Sequence, residues 1–431
     1  MATTIDYTDS PCSKVLVNND LKVSIFKNLV EKHKMVLTTP LGKRIGVEPK
    51  ALRSFLNGRK IEIQTLEKLR KVTGIPIDTV RASIVSIDNI STPNLPFDFD
   101  NENGVRAIAG IVNEGRIRPR GIEYHNKNEE LLKIMTDCSR NVLGKDFVPH
   151  KSFDGRINVH CLYFPPSFAK FFVMIKLDKP KVYPFVLPDF ISDGPEAYLK
   201  VWLRACLSEE AALYPFACTQ SRLKGRTSYL YPRIQLNRNV IVLDDCIVRQ
   251  LGGLFQRPQQ SFYKKDLGTG LASCLERLCH PLLLQESGFL GKFGIGCTPR
   301  FSRVYLSKDK TITATHSLSV TDLKYFDLWK KQIGFELKWQ KKQLELILSN
   351  VGKISRPRLN DVVFEFYSLI PFHLRDKRKI RTSNILVEEQ KSQLYGEYNE
   401  QDPQSHNRPF WPRRRWENHI SGQNKRDLRS C

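Results

Sequence analysis

Two glutamates, Glu114 and Glu210, have the residue type and spacing expected of a paired catalytic site. Each follows an apolar helical pattern, and their numbers differ by 96 (210 − 114), about the length of one small domain. In the first pattern, apolar residues recur at i, i+3, i+4 and i+7, and the run ends in an acid followed by glycine. This helix is apolar nearly all round, so we expect it to be buried. A buried helix would hold Glu114 rigidly at its end, where the helix meets solvent.

The helices that carry these acids have small residues where another helix can approach. Ala109 lies five residues before Glu114, and Ala205 lies five residues before Glu210. Together with Gly110, these positions let two backbones pack closely. Two copies of one unit in a single chain can pack with pseudo-twofold symmetry, so we expect the two helices to meet.

Strands and further helices are predicted after each of these two helices. The segments after the first are strands at 116–118, 121–125 and 156–163, and helices at 128–143 and 167–175. The segments after the second are strands at 229–236, 303–306 and 311–320, and helices at 322–332 and 337–348. The second copy is longer, and residues 239–290 are predicted to be its insertion.

An apolar helix ending in an acid and followed by antiparallel strands and helices, twice in one chain, resembles the LAGLIDADG homing endonuclease family. The resemblance implies an α+β fold in which two pseudo-symmetric repeats, residues 102–190 and 191–348, form a saddle of antiparallel strands. It implies that Glu114 and Glu210 are catalytic acids that bind Mg²⁺ or another divalent metal. Such an ion neutralises charge on the scissile phosphate and activates water. The implied function is site-specific, metal-dependent cleavage of DNA.

The same resemblance gives roles to the small residues around the acids. Ala109, Gly110 and Ala205 lie at the helix contact, and Gly115 lets the backbone turn away beside the metal. The second motif has Ala211 where the first has glycine. If this position requires a positive φ, Ala211 costs about 1 kcal/mol and tilts the carboxylate.

Basic and polar residues that follow the two motifs are expected on the DNA-facing side of the strands. Arginine, glutamine and asparagine side chains can contact phosphates and base edges in the major groove. The predicted contacts are Arg116, Arg118, Arg120, Arg233, Gln235, Asn237 and Arg238. Lys338 and Lys342 are expected to add a basic group near the acids.

The charge of the sequence indicates an anionic partner. Its 431 residues carry 68 Lys and Arg against 45 Asp and Glu, a formal net charge of +23, so double-stranded DNA is the first partner to expect. With no long apolar run and no signal-peptide pattern, we expect a cytoplasmic, nucleoid-associated protein without a membrane partner. Because the two repeats would form a pseudo-dimer within one chain, we expect a monomer. Cys274, Cys279 and His280 come closest to a metal cluster, but their Leu-rich helical context is typical of buried thiols.

Residues 21–82 show short amphipathic helical patterns. Within them, residues 40–60 resemble the helix-turn-helix of Cro/C1-type repressors, with 41–45 as the supporting helix, Gly46 as the turn and 49–57 as the recognition helix. The resemblance implies an all-α DNA-binding domain. The residues expected to contact DNA are Lys50, Arg53, Ser54, Arg59 and Lys60. A small helical bundle with a basic, solvated face is the alternative.

The remaining segments are predicted from their composition. Residues 1–20 are polar and are expected to be flexible. Residues 83–101 are rich in turn formers and acids and are expected to form a linker. Residues 349–431 are expected to form a basic, partly disordered tail that holds phosphates, with a merely solubilising tail as the alternative.

Two other functions fit the same residues. A non-cleaving DNA-binding regulator built on a degenerate LAGLIDADG core, similar to WhiA-type regulators, would bind specific DNA without metal. An RNA maturase would prefer structured RNA to duplex DNA. Carboxylates with room for metals and a phosphate favour the nuclease, whereas carboxylates held by Arg or Lys pairs favour the regulator.

Overall fold

A computed structural model describes residues 3–9, 13–34, 38–118, 121–155, 158–222, 225–371 and 374, all in one compact unit. The predicted DNA contact Arg120 lies outside the described residues. Across the ranges that are described, no helix has both the length and the apolar character needed to cross a membrane.

The first 98 residues combine helices with short strands. The helices are α1 (Asn19–His33), α2 (Thr38–Ile45), α3 (Pro49–Leu56), α4 (Ile63–Thr73) and α5 (Ile77–Ala82). The strands are β1 (Thr4–Ile5), β2 (Lys14–Val17), β3 (Ile61–Glu62), β4 (Ile84–Ile87), β5 (Ile90–Ser91) and β6 (Phe97–Asp98). Strands β3-β2-β4-β5 form an antiparallel sheet, and β1 pairs with β6. The prediction of an all-α N-terminal domain is therefore wrong.

Helices α2 and α3 meet through a tight turn. Gly46 has a φ of +69°, a left-handed conformation that glycine adopts without strain. A Cβ atom on Gly42 would lie 2.8 Å from the carbonyl oxygen of Val47, so glycine lets α2 approach this turn closely. Pro49 opens α3, where its missing N–H costs no helical hydrogen bond. The predicted pair of helices is formed, and its use as a helix-turn-helix stays a prediction.

Both the predicted flexible N-terminus and the predicted linker contain folded segments. Tyr7 is fully buried, and its hydroxyl donates to Glu67 Oε1 at 2.6 Å. In the segment predicted as a linker, β4 and β5 lie in the sheet, and Phe99 stacks on Phe171 with 3.7 Å between the ring centroids. Composition missed this because isolated aromatic residues between turn formers produce no helical or strand period.

The first repeat is a buried helix followed by an antiparallel sheet and two more helices. Its elements are α6 (Glu102–Glu114), β7 (Gly115–Arg118), β8 (Gly121–Asn126), α7 (Glu129–Leu143), β9 (His150–Asp154), β10 (Val159–Phe164) and α8 (Pro166–Met174). The strand order is β7-β8-β10-β9. Asn101 and Asn128 begin α6 and α7, because their side chains accept hydrogen bonds from backbone N–H groups of the first turn. A short helix, α9 (Asp189–Ser192), leads into the second repeat.

The second repeat has a longer sheet. Its elements are α10 (Glu196–Glu209), β11 (Ala212–Arg222), β12 (Gly225–Ile241), α11 (Asp245–Gly252), β13 (Ser261–Tyr263), α12 (Thr269–Glu276), α13 (Pro281–Lys292), β14 (Arg300–Leu306), β15 (Ile312–Val320), α14 (Leu323–Leu328) and α15 (Lys338–Leu348). The strand order is β11-β12-β15-β14-β13. Because β12 continues to Ile241, the predicted insertion begins a few residues later than position 239. Helices α11 and α12 form a second small core against β12, β14 and β15.

The fold continues past position 349, where the basic tail was predicted to start. Strand β16 (Gly352–Ile354) pairs with β12, and α16 (Arg356–Ser368) packs on α15. Val362, Val363 and Phe366 of α16 are buried, and Gln343 of α15 donates a hydrogen bond to the Phe366 carbonyl at 2.9 Å. Of the predicted tail, residues 372–373 and 375–431 lie outside the described residues.

We expect Gly144→Ala to destabilise the protein. Gly144 has a φ of +145°, and a Cβ atom there would lie 2.5 Å from the carbonyl oxygen of Thr92, in the segment predicted as a linker. The substitution should reduce the free energy of unfolding by roughly 2 kcal/mol or more, measured by calorimetry. Gly288→Ala in α13 is the matched control, because no atom lies within 4 Å of its Cβ position and alanine favours the helix. Equal melting temperatures for the two variants would contradict the close approach.

Candidate active site at the paired helix ends

Helices α6 and α10 pack against each other in the middle of the two repeats. Ala109 and Ala205 are both fully buried, consistent with their predicted place at the helix contact. Gly110 was also predicted to lie at the contact between α6 and α10, and that prediction is wrong. A Cβ atom on Gly110 would lie 2.9 Å from Met135 Sδ, so this glycine makes room for α7 and not for α10.

Glycine is required at position 115 because the backbone passes close to the last turn of α6, and not because φ is positive. Its φ is −88°, and a Cβ atom would lie 2.5 Å from the carbonyl oxygen of Ile111 in the last turn of the helix. In the second repeat, α10 ends one residue earlier relative to its acid, because Glu210 is the cap with a φ of −116°. Ala211 is not among the residues with positive φ. The strain that the sequence predicted for Ala211 is therefore absent.

The helix contact brings the two predicted acids into one electrostatic site. Burial, together with the negative charges of Glu210 and Glu209, raises the pKa of Glu114 to about 8, although the positive charge of Lys181 opposes this shift. Lys181 Nζ lies 3.1 Å from Glu210 Oε1. Lys181 therefore forms an ion pair with Glu210, and its charge also opposes the rise in the pKa of Glu114.

Lys181 is the residue of this candidate site that the sequence did not reveal. It lies between α8 and α9 in an irregular segment rich in lysine and proline, and neither periodicity nor a motif marks it. The sequence had suggested Lys338 and Lys342 as the basic group. Both are exposed on α15, and the cation that contacts an acid of the pair is Lys181.

The site offers two hard oxygen donors for a metal ion. Among the described residues there is no group of three or more His, Cys, Asp or Glu side chains arranged to hold a metal. Cys274 and Cys279 are free thiols and are half-buried, so they are less buried than the sequence predicted. Mg²⁺ is commonly held by one or two carboxylates, with water and substrate phosphate oxygens completing its octahedron. Glu114 and Glu210 fit that kind of site and not a site built from protein ligands alone.

A cleft of about 620 Å³ opens beside Gly115. Its floor is apolar and includes Ile111, Val112 and Leu177, which are buried. Its exposed charged lining is mostly cationic: the cations are Arg116, Arg118, Lys179 and Lys181, beside one acid, Asp178. A shallow apolar floor beneath several cations can accommodate sugar rings while the cations contact phosphates.

In the first sheet, both described arginines predicted to bind DNA are exposed. Arg116 and Arg118 alternate along β7 with Ile117 turned away from them. Arg118 forms an ion pair with Glu123 of β8 at 3.1 Å. Arg116 is therefore the arginine of this strand whose charge is compensated least by an observed partner.

In the second sheet, three of the four predicted contacts share one outward face of β12. Arg233, Gln235 and Asn237 alternate with buried residues, and their side chains bond along the sheet. Gln235 accepts from Tyr214 at 2.6 Å and donates to Asn237 at 3.0 Å, and Arg233 lies 3.7 Å over the ring of Phe216. This outer face is a row of neutral amides with one stacked arginine.

Arg238 is not a DNA contact, which corrects the fourth prediction on this strand. It is 7% exposed and donates to Glu286 Oε1 at 2.5 Å inside the protein. Successive side chains of a strand point to opposite faces of the sheet. Arg238 therefore points to the face opposite that of Arg233, Gln235 and Asn237.

The N-terminal residues predicted to contact DNA lie on or just after α3. Lys50, Arg53, Arg59 and Lys60 are exposed and Ser54 is half-buried. Lys60 also donates a hydrogen bond to the backbone carbonyl of Asp88. These residues present a basic surface, and whether DNA binds there stays a prediction.

Comparison with known proteins adds one distant similarity. No protein-family model matches the sequence, and no curated protein is significantly similar to it. Among solved structures, a similar one is I-SmaMI bound to an uncleaved DNA target in the presence of calcium ions, at 11% sequence identity and a TM-score of 0.30. The similarity covers 62% of this chain and 97% of that chain. A similarity at this level decides nothing about the chemistry of this chain.

We expect Glu114→Gln to stabilise the metal-free protein at alkaline pH. A carboxyl whose pKa is raised to about 8 on folding contributes stability that is present below its unfolded value near 4.5 and is lost as pH rises through 8. As pH increases from 5 to 9, the free energy of unfolding of the variant should therefore rise relative to that of wild type. We expect a rise of roughly 1–3 kcal/mol after allowance for solvent screening.

Melting temperatures in EDTA, measured at each pH for wild type and Glu114→Gln, test this expectation. Glu31→Gln is the control, because Glu31 is an exposed carboxylate on α1. A difference between Glu114→Gln and wild type that does not change with pH would show that Glu114 is ionised in the folded protein throughout this range.

Proposed function

We propose that this chain binds double-stranded DNA and hydrolyses its phosphodiesters with a divalent metal, as a homing-type endonuclease does. The observation that carries the proposal is that Glu114 and Glu210 lie at the ends of two packed helices, close enough for the charge of Glu210 to raise the pKa of Glu114. Two carboxylates in a chain of net charge +23 suit a metal ion that is shared with an anionic polymer.

The roles of the three side chains follow from their charges. Mg²⁺, when bound, supplies charge neutralisation at the scissile phosphate and lowers the pKa of water. Glu114 and Glu210 provide its protein oxygen ligands. Lys181 forms an ion pair with Glu210 in the free protein, and we expect it to turn towards the phosphate when DNA arrives. The cleft beside Gly115 would guide the same strand past these groups.

A non-cleaving DNA-binding regulator is the second candidate. The Lys181–Glu210 ion pair supports it, because a lysine that holds a carboxylate occupies the place of a metal ion. In this alternative the paired acids have no catalytic role, and the basic surfaces of α3 and the two sheets bind DNA. An RNA maturase predicts the same surfaces with a preference for structured RNA.

Cleavage of a randomised duplex library with and without Mg²⁺ tests the proposal. Wild type should cut a subset of sequences only with metal, and Glu114→Gln or Glu210→Gln should lower the rate at least about 100-fold without weakening DNA binding. Glu31→Gln should cut like wild type. Specific binding without cleavage, unchanged in both acid variants, would favour the regulator, and tighter binding to structured RNA at the same salt concentration would favour the maturase.

We expect Arg116→Ala to weaken DNA binding in a salt-dependent manner. Arg116 is exposed on β7 beside the acids, so it should contact a phosphate. Its loss should reduce the slope of log K against log salt by about one. Arg249→Ala is the charge-matched control, because α11 packs on the opposite side of the second sheet from Asn237. Equal slopes for the two variants would remove β7 from the DNA interface.

A further inference from the structure

Each of the two acids follows a polar residue whose side chain is buried and bonded to the other repeat. Asn113 precedes Glu114, and its Oδ1 accepts from Arg238 Nη2 of β12 at 3.0 Å. Glu209 precedes Glu210, and its Oε1 accepts from Tyr124 of β8 at 2.8 Å. We infer that these two cross-repeat contacts set the direction of the two carboxylates, and that each contact controls the cleavage of one DNA strand. The inference rests on the proposed nuclease function.

The pairing of these contacts follows the internal repeat of the chain. Asn113 and Glu209 are 96 residues apart (209 − 113), the same separation as Glu114 and Glu210. Strands β8 and β12 are each the second strand after the helix of their own repeat. The contacts are therefore equivalent in place and different in chemistry, since one uses an amide and the other a carboxylate.

The contact of Asn113 belongs to a buried group that we call the first clamp, consisting of Asn113, Arg238, Glu286 and Cys206. Arg238 forms two hydrogen bonds with Glu286 of α13, at 2.5 and 3.2 Å. Cys206 of α10 lies between them, with its Sγ 3.3 Å from Glu286 Oε1 and 3.5 Å from Arg238 Nη2. Asn113 and Glu286 are 0% exposed. The last turn of α6 is thus fixed to a rigid group that belongs entirely to the second repeat.

The contact of Glu209 belongs to the second clamp, consisting of Glu209, Arg106, Tyr124 and Glu336. Arg106 of α6 donates to Glu209 at 2.8 Å and to Glu336 at 2.5 and 3.1 Å. One nitrogen, Arg106 Nη1, and one oxygen, Glu209 Oε2, are buried without a partner. The second clamp is therefore less completely satisfied than the first.

Stability alone does not account for these groups. A buried ion pair loses hydration on both sides, and well-packed apolar side chains often serve a core equally well. What the clamps add is direction, because hydrogen bonds fix the rotation of a helix end while apolar contacts allow it to turn. One residue along a helix corresponds to a rotation of about 100°, so a small rotation at Asn113 or Glu209 moves the neighbouring carboxylate away from its partner.

Strand-specific cleavage tests the inference. Asn113→Leu removes the acceptor for Arg238 and leaves the Arg238–Glu286 pair intact, and Tyr124→Phe removes only the hydroxyl that bonds Glu209. With a substrate selected by wild type and a different label on each strand, each variant should slow cutting of one strand by about tenfold or more. The two variants should affect opposite strands, with DNA affinity unchanged within about threefold.

A conservative variant and a distant control separate positioning from general destabilisation. Asn113→Asp keeps an acceptor for Arg238 and should restore the strand that Asn113→Leu loses. Gln343→Leu removes a buried hydrogen bond of the core, between α15 and α16, and should slow neither strand selectively. Binding of Tb³⁺, followed by its luminescence, gives a readout that does not depend on cutting, and Asn113→Leu should weaken it about tenfold while Asn113→Asp should not.

The outcomes distinguish the inference from the function on which it rests. If wild type cuts DNA and Asn113→Leu behaves like Gln343→Leu, or if both strands slow equally, the clamps do not position the acids and the nuclease stands. If wild type neither cuts DNA nor binds Tb³⁺, the proposed function and the inference both fail.

Discussion

The close packing of α6 on α10 is the constraint from which the rest of the site follows. Ala109 and Ala205 have no side chain beyond Cβ, so the two backbones can approach, and both residues are fully buried. Near the C-terminal ends of the two helices, Asn113 Nδ2 lies 3.8 Å from Cys206 Sγ, and the charges of Glu209 and Glu210 act on Glu114. The raised pKa of Glu114, which burial and the negative charges of α10 cause, is a consequence of this approach.

Bringing two helix ends together also brings buried charge into the middle of the fold. Arg106 and Arg238 are almost fully buried. Arg106 forms ion pairs with Glu209 and Glu336, and Arg238 forms one with Glu286. These pairs lie on the two sides of the same helix contact, next to Asn113 and Glu209. The arrangement ties α6 and α10 to both sheets through directional bonds, so the helix pair cannot slide or rotate without breaking them.

The sequence predicted what periodicity and capping can show. The helical pattern of α6, the helix at 128–143 and the strand at 311–320 were correct because each element repeats its signal over several residues. Arg238 was assigned to DNA because basic residues were counted along β12 without regard to parity. Strand β11 was missed because it contains Pro215, which suits an edge strand, and β11 does lie at the edge of its sheet. The position of Lys181 could not be predicted, because an irregular segment has no periodicity and its contacts depend on how the whole chain folds.

The two halves of the site reach their acids by different backbone paths. In the first half, Glu114 is the last helical residue and Gly115 passes so close to Ile111 that a side chain would not fit. In the second half, the N–H groups of Glu210 and Ala211 both bond the Cys206 carbonyl, so the chain leaves the helix one residue sooner and an alanine is accommodated. Loss of the glycine thus changes the path of the backbone and not its strain, and it leaves Glu210 as the cap just beyond the helix, where its carboxylate forms an ion pair with Lys181.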